Sequence, residues 1–424
     1  MAKRREYWGA EVETAPRDEL RRIQQERLKE LVERLYQRSA YYKRRFAEVG
    51  IKPDDIRTVE DIRKIPLTRY THDIPPEDLL TIPLSEAPFI MSSGGTTGTP
   101  KPLYLSRKDL DMWGEIVGGR LSTMYGIGRG DVMHMGFPWV VPMEGFLKAG
   151  ARYLPMYHTT MFVDSQIRLM ESMKVSSIFC GAAQFLGIYR RAKEMGVNLG
   201  KAGLRVAIFT GESWAENYRK RMEAELGMKF YDYYGMMEIG PTAAECSEQD
   251  GLHVWDDINV VEIIDPDTEE PLPPGEPGEI IITPLWRETM PFLRYRSGDM
   301  AMWLEDEKCP CGRAFPRMSR LKGRIDHIIK VKESRVFPRD VEEVVHATPG
   351  LGTEFQVIVD KPGVLDVLKV RIETAQGVAP SPELKKTVEM ELEKATKAVS
   401  EVELVPYGEI ARGAGFKAQR IVRF

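Results

Sequence analysis

Residues 92–101 read Ser-Ser-Gly-Gly-Thr-Thr-Gly-Thr-Pro-Lys, and no other stretch constrains this chain as tightly. Glycine permits positive φ and lets backbone N–H groups come close to a ligand. The interleaved serine and threonine hydroxyls add donors, and the lysine adds a mobile cation. Such a run can wrap a polyphosphate. The common phosphate loop instead ends in Gly-Lys-Ser/Thr and opens a helix. Here Lys101 runs into Pro102-Leu-Tyr-Leu, an extended apolar pattern. The loop is therefore predicted to join two strands. The plainer reading, a Gly/Ser/Thr linker with no ligand, fits poorly with a Pro-Lys that leads straight into an apolar run.

The chain has 424 residues, enough for two or three domains. Hydrophobic residues make up 42%, charged residues 29%, and the net charge is −4. These values suit a soluble globular protein and supply no broad cationic field for nucleic acid or anionic lipid. No apolar run has the length of a membrane helix, and the charged start lacks the apolar core of a secretory signal. Four cysteines do not make a disulfide framework at this length, so a reducing, cytoplasmic setting is expected.

Arg17 to Phe46 carries apolar residues at three-to-four spacing and is predicted helical. Prolines then break the chain into turns as far as Pro88. Beyond the glycine loop, strand and helix signals alternate. Helices are predicted over 107–118 and 164–174, and strands over 132–137, 176–180 and 206–209. This alternation predicts an α/β fold. Residues 254–282 read as strands and turns. Near residue 326 a smaller unit begins: a hairpin over 327–336, a Pro-started helix over 338–347, strands near 356–360 and 367–372, a helix over 381–398 and a strand near Val402. The expected division is a large amino-terminal α/β domain, 1–326, and a small mobile α+β domain, 327–424.

Further clusters carry chemistry. Asp232-Tyr-Tyr-Gly-Met-Met-Glu238 offers aromatic faces for a purine and a hard oxygen ligand for Mg²⁺. Thr210-Gly-Glu-Ser213 follows an apolar strand, where α/β sheets place ligands. In Arg294-Tyr-Arg-Ser-Gly-Asp299, the aspartate could accept both ribose hydroxyls, or be a turn aspartate with no ligand. Arg324 in Gly323-Arg-Ile-Asp326 could reach phosphate or ribose.

Taken in order, with a lysine near the carboxy terminus, these motifs resemble those of the adenylate-forming superfamily. The compact length and Val336-Phe-Pro-Arg-Asp-Val-Glu-Glu343 resemble its phenylacetate–CoA ligase branch. The resemblance covers nearly the whole chain. It implies a two-step reaction in which a carboxylate attacks the α-phosphorus of ATP, and a thiol, usually coenzyme A, then takes the acyl group. By matching position, Ser93, Gly94, Gly95, Thr96, Thr97 and Gly98, with Lys101, would hold phosphates. Gly211, Glu212, Tyr233 and Tyr234 would surround adenine, and Ser213, Asp232 and Gly235 would belong to the same cofactor-binding set. Asp299 and Arg324 would hold ribose, and Glu238 would bind Mg²⁺. Asp326 would be the hinge, and Lys417 would bridge the carboxylate and the α-phosphate in the first half-reaction. The catalytic set is thus Lys417, Glu238 and Thr97, although a lysine in this tail also reads as an ordinary surface residue. The sequence departs from the family at Phe416, which separates Gly415 from the lysine, at Lys332-Glu-Ser-Arg335, and at the doubled Gly94-Gly95.

An acid pocket is expected from Phe137, Trp139, Gly181, Ala182, Phe185, Met236 and Met237. These are apolar and partly aromatic, suiting an aromatic monocarboxylate. Cys246, His253, Cys309 and Cys311 provide three thiolates and an imidazole, a set that suits tetrahedral Zn²⁺. Their spacing is not that of a standard zinc finger, and free thiols in loops are the alternative. The resemblance favours zinc, in a closed structural site, and also implies a homodimer. The expected ligands are ATP, Mg²⁺, coenzyme A and Zn²⁺, with neither nucleic acid nor membrane as partner. Alternative activities are a nucleotidyltransferase that adenylates an acceptor without CoA, as deazaflavin-adenylating relatives do, and a stand-alone amino-acid adenylation enzyme.

Overall fold

The computed structural model describes all residues except 1–5, 94–99, 137–140, 156–162, 213, 306, 362, 411–419 and 424, together with the side chains of Ser93 and Arg423. Its largest sheet has eight strands in the order Arg317–Met318, Leu252–Val254, Gly240–Glu245, Lys229–Met236, Val206–Phe209, Ser177–Cys180, Val132–Met135 and Arg152–Leu154. The five from Lys229–Met236 to Arg152–Leu154 run parallel, and the other three add antiparallel. The inner parallel strands Val132–Met135, Ser177–Cys180 and Val206–Phe209 are buried on both faces, which is why Ser-Ile-Phe-Cys and Val-Ala-Ile-Phe read as nearly continuous apolar runs.

Side chains alternate between the two faces. Ile178, Cys180, Ala207 and Phe209 pack against the helices Val163–Ser172, Ala182–Glu194 and Glu216–Leu226. Phe179, Val206 and Ile208 pack against Trp113, Val117 and Leu121 of the helix Arg107–Met124. That helix runs further than the expected 107–118, because its glycines are packing contacts rather than stops. A Cβ on Gly118 would lie 2.2 Å from the Pro142 carbonyl oxygen, so only glycine lets the helix Met143–Lys148 approach this closely. The predicted helix over 17–46 is two helices, Arg17–Arg38 and Ala40–Val49. Ser39 breaks it, accepting a 3.3 Å hydrogen bond from the Tyr42 N–H as the second helix's cap.

A four-stranded antiparallel sheet, Asn259–Ile264, Gly278–Pro284, Tyr295–Ala301 and Gly323–Arg324, packs its apolar side chains with those of the amino-terminal helices. Past it, Ile329–Val331 and Ser334–Val336 form a hairpin. The strands Ser400–Val405, Leu368–Thr374, Leu351–Val359 and Ile421–Arg423 then form a sheet with the helices Pro338–Ala347 and Pro382–Thr396. These elements have their own core of Val341, Phe355, Ile372 and Leu392. The chain is thus of mixed α/β class. No helix among the described residues is long and apolar enough to cross a membrane.

Candidate active site and metal centre

The glycine-rich segment joins two antiparallel strands, Phe89–Ser93 and Lys101–Leu105, with Ser93 paired to Lys101 at its base. Lys101 donates to the Tyr70 carbonyl oxygen and lies 5.0 Å from the Tyr70 ring centre. Gly94, Gly95, Thr96, Thr97 and Gly98 lie outside the described residues, as do Ser213, Phe137, Trp139 and Lys417.

Asp299 and Arg324 face each other as cross-strand partners. The Tyr234 hydroxyl donates to Asp299 Oδ2 at 3.0 Å, and Arg324 Nη1 lies 3.4 Å from Asp299 Oδ1. Arg324 Nε also donates to Asp326 at 2.9 Å. Burial, reinforced by the neighbouring Asp299 carboxylate, pushes the Tyr234 phenol well above its ordinary pKa, so it stays a donor. Gly298 has φ +74°, and a Cβ there would sit 2.9 Å from Arg324 Nη2. Any other residue would be strained and would crowd the guanidinium. Tyr295 is buried and feels the charges of Glu238, Arg324 and Asp299, which ties Glu238 to the same neighbourhood.

Glu238 is carried on the short turn between the strands Lys229–Met236 and Gly240–Glu245. Met236 and Met237 are partly buried against the adjoining core. Gly211 stands beyond the end of Val206–Phe209 at φ +82°. Glu212 reaches across to the next strand's exit, where its Oε1 accepts from the Ala183 N–H at 3.0 Å. It therefore caps the helix that begins at Ala182, directly after Gly181. A Cβ on Gly181 would lie 2.9 Å from that same carboxylate oxygen. The carboxyl ends of these parallel strands thus gather Gly181, Ala182, Gly211 and Glu212, the place where open α/β sheets bind ligands.

Three expectations need correction. Phe185 does not line a pocket: it is buried, with ring centroids 5.5 Å from Phe209 and 5.2 Å from Phe230. It shares the sheet-facing side of its helix with Ile188 and Ala192, a three-to-four spacing. Tyr233 and Tyr234 cannot both flank one purine, because consecutive strand residues face opposite ways. Tyr233 packs edge-on to Phe179 in the core, while Tyr234 points to Asp299. A Cβ on Gly235 would lie 2.8 Å from the Tyr233 hydroxyl, so glycine there makes room for that ring. The Asp232 side chain is committed elsewhere, accepting from Trp214 Nε1 at 2.6 Å and from Arg320 Nε.

Cys246, His253, Cys309 and Cys311 converge although they come from distant segments. Their ligand atoms all lie within 4.8 Å of one another, and only Cys311 is not fully buried. Cys246 directly follows the strand Gly240–Glu245, His253 lies within its hairpin partner Leu252–Val254, and Cys309 and Cys311 come from the segment before Arg317–Met318, which pairs with Leu252–Val254. His253 Nδ1 lies 3.2 Å from the Phe315 carbonyl oxygen. Donation there would present Nε2, 3.4 Å from Cys311 Sγ, to a metal ion. A hydrogen bond from Cys246, with His253 beside it, holds the Cys311 thiol far below its ordinary value. A thiolate, two further thiols and an oriented imidazole fit a tetrahedral Zn²⁺, and four protein donors leave no open position for chemistry. By contrast, His134 and Cys180 are interior: His134 contacts Leu154 and Gln166.

Sequence reasoning missed Tyr70, Tyr295 and Arg287. The last is a fully buried arginine whose Nη2 donates to the Met237 carbonyl oxygen at 3.1 Å and whose Nη1 donates to that of Glu238. The available signal was the charged pair Arg287-Glu288 set between Leu285-Trp286 and Met290-Pro-Phe292.

The chain matches the family "AMP-binding enzyme" over residues 11–284 and "AMP-binding enzyme C-terminal domain" over residues 334–423. It is 34% identical to a phenylacetate–coenzyme A ligase of Thermus thermophilus, over 86% of this chain and 84% of that protein. It is 33% identical to one of Aromatoleum evansii, over 91% and 89%. Among solved structures, 2-hydroxyisobutyryl-CoA ligase in its postadenylation state superposes with a TM-score of 0.91 at 23% identity, covering 100% of this chain and 94% of the other. The same ligase in its thioesterification state gives 0.72 at 24% identity, covering 99% and 92%. The chain belongs to the AMP-binding enzyme family and, within it, to the phenylacetate–CoA ligase-like adenylate-forming enzymes.

Proposed function

We propose that this protein is an ATP-dependent acid–CoA ligase acting on an aromatic monocarboxylate. The substrate carboxylate oxygen attacks the α-phosphorus, the bond to the β-phosphate oxygen breaks, and pyrophosphate leaves. The coenzyme A sulfur then attacks the acyl carbon, and the acyl–oxygen bond breaks to release AMP. The observation that carries this reading is Asp299, held between Tyr234 and Arg324, in a chain one-third identical to phenylacetate–coenzyme A ligases; its carboxylate would accept from ribose hydroxyls.

Each residue has a distinct task. The segment 93–98 and Lys101 hold the phosphates. Gly211 and Glu212 border the base, with the Tyr234 ring beside the ribose. Glu238 holds Mg²⁺, which when bound screens phosphate charge. Met236 and Met237 offer a pliable apolar wall to an aromatic ring. Lys417 supplies a cation in the first half-reaction. Cys246, His253, Cys309 and Cys311 hold a structural Zn²⁺. Positioning and charge stabilisation do most of the work in this class of transfer.

A panel of acids with ATP, Mg²⁺ and CoA tests the substrate class, reading AMP and thioester together. Aromatic monocarboxylates are expected to exceed acetate in kcat/KM by over about a hundredfold, about 2.7 kcal/mol of differential binding. Acetate or an amino acid outperforming every aromatic acid would overturn it.

A further inference from the structure

We propose that Arg287 is a positioning residue for the reaction: it sets the backbone of the turn that presents Glu238 and Met237. This rests on the reading of Glu238 as the Mg²⁺ ligand. The turn is short, since Met236 pairs with Gly240 and only Met237, Glu238 and Ile239 lie between. Arg287 forks onto two of its carbonyl oxygens, those of Met237 and Glu238. Trp286 closes on the turn's end. Gly240 has φ +87°, and a Cβ there would lie 2.3 Å from the Trp286 ring.

The guanidinium is unusual in its surroundings. It is fully buried and, among the described residues, forms no ion pair with a carboxylate. Its charge is 5.6 Å from the centre of the Trp113 ring and 5.4 Å from that of Trp286. Asp109 and Glu238 face it at longer range, and burial pulls its pKa down to about 10, still charged at neutral pH. A buried charge held by carbonyls and aromatic faces alone is a poor way to stabilise a fold. An apolar residue would fill that space at less cost. What arginine adds is a planar fork that fixes two adjacent peptide groups, which lysine cannot do. The anchor is itself rigid. Asp109 accepts from the Glu288 N–H at 2.7 Å and the Thr289 N–H at 3.1 Å, and Arg34 donates to the Arg287 carbonyl oxygen at 2.8 Å.

The test compares Arg287→Lys, Trp286→Phe and Glu238→Gln in the full-length protein by acid-dependent pyrophosphate exchange across a Mg²⁺ titration. Arg287→Lys keeps the charge but holds one carbonyl. It is expected to raise the Mg²⁺ concentration for half-maximal rate by about tenfold, with little change in KM for ATP. Trp286→Phe leaves the fork in place but slackens it, and is expected to shift the same parameter in the same direction by less. It also serves if Arg287→Lys does not fold. Folded variants with lowered Tm but an unchanged Mg²⁺ requirement would overturn the proposal, leaving Arg287 as a packing residue only. If Glu238→Gln itself left the Mg²⁺ requirement unchanged, the reading of Glu238 would fail, and the proposal with it. A shift in Glu238→Gln without one in Arg287→Lys would overturn the proposal alone.

Discussion

The Tyr234 hydroxyl donates to Asp299 at 3.0 Å across two different sheets. One residue ends the parallel portion of the large sheet, and the other lies in the antiparallel sheet beside it. The pairing orients Asp299, with Arg324 on its other oxygen. Asp299→Asn is expected to raise KM for ATP by about tenfold or more, the scale of a lost charged hydrogen bond. Tyr234→Phe should cost only a few-fold, about 1 kcal/mol. Initial-rate titrations with ATP check both. Equal effects of the two variants would contradict the assignment.

Purified protein is expected to carry one Zn²⁺ per chain. Cys309→Ser should lower metal content and Tm together, because metal binding free energy becomes folding free energy. Elemental analysis and thermal melts on chelator-free preparations read this directly. Zinc-free wild-type protein of undiminished Tm would refute it.

Glu343 joins the carboxy-terminal elements to the large sheet's helices. Its carboxylate accepts from the N–H groups of Glu216 at 2.6 Å and Asn217 at 3.2 Å, capping the helix Glu216–Leu226. His346 stacks on Tyr218 with centroids 4.6 Å apart, and Arg190 donates to Glu354 at 2.9 Å. Glu343→Ala is expected to slow acyl-adenylate formation about fivefold, matching about 1 kcal/mol for a lost cap. Thioester formation from supplied acyl-adenylate should be unaffected, since that step would use a rotated carboxy-terminal domain. Equal slowing of both half-reactions would show that the contact does not distinguish them.

Much of the fold was legible because its signals are local. Val206–Phe209 and Pro338–Ala347 announce themselves by an apolar run and by a Pro start. Tertiary contacts account for what was misread. The helix expected over 107–118 continues to Met124, and its Gly114 and Gly118 are where Val141, Pro142 and the helix Met143–Lys148 approach, while Gly119 faces the Trp8 ring. Phe185 was expected in the acid pocket as an apolar aromatic residue, although Ile188 and Ala192 mark its side of the helix as core. The Tyr233–Tyr234 pair was read as one aromatic face, against the period of a strand. Arg287 could not be placed from sequence, because its partners are backbone carbonyls some fifty residues away.

The central claim is acyl transfer through an adenylate to coenzyme A. Its most direct measurement is isotope exchange between pyrophosphate and ATP, run without CoA and with each acid in turn, followed by CoA addition. Exchange that depends on an aromatic monocarboxylate, then one thioester and one AMP per acid consumed, is the expected result. Exchange driven by an amino acid, or an adenylated product that persists unchanged when CoA is added, would contradict the account.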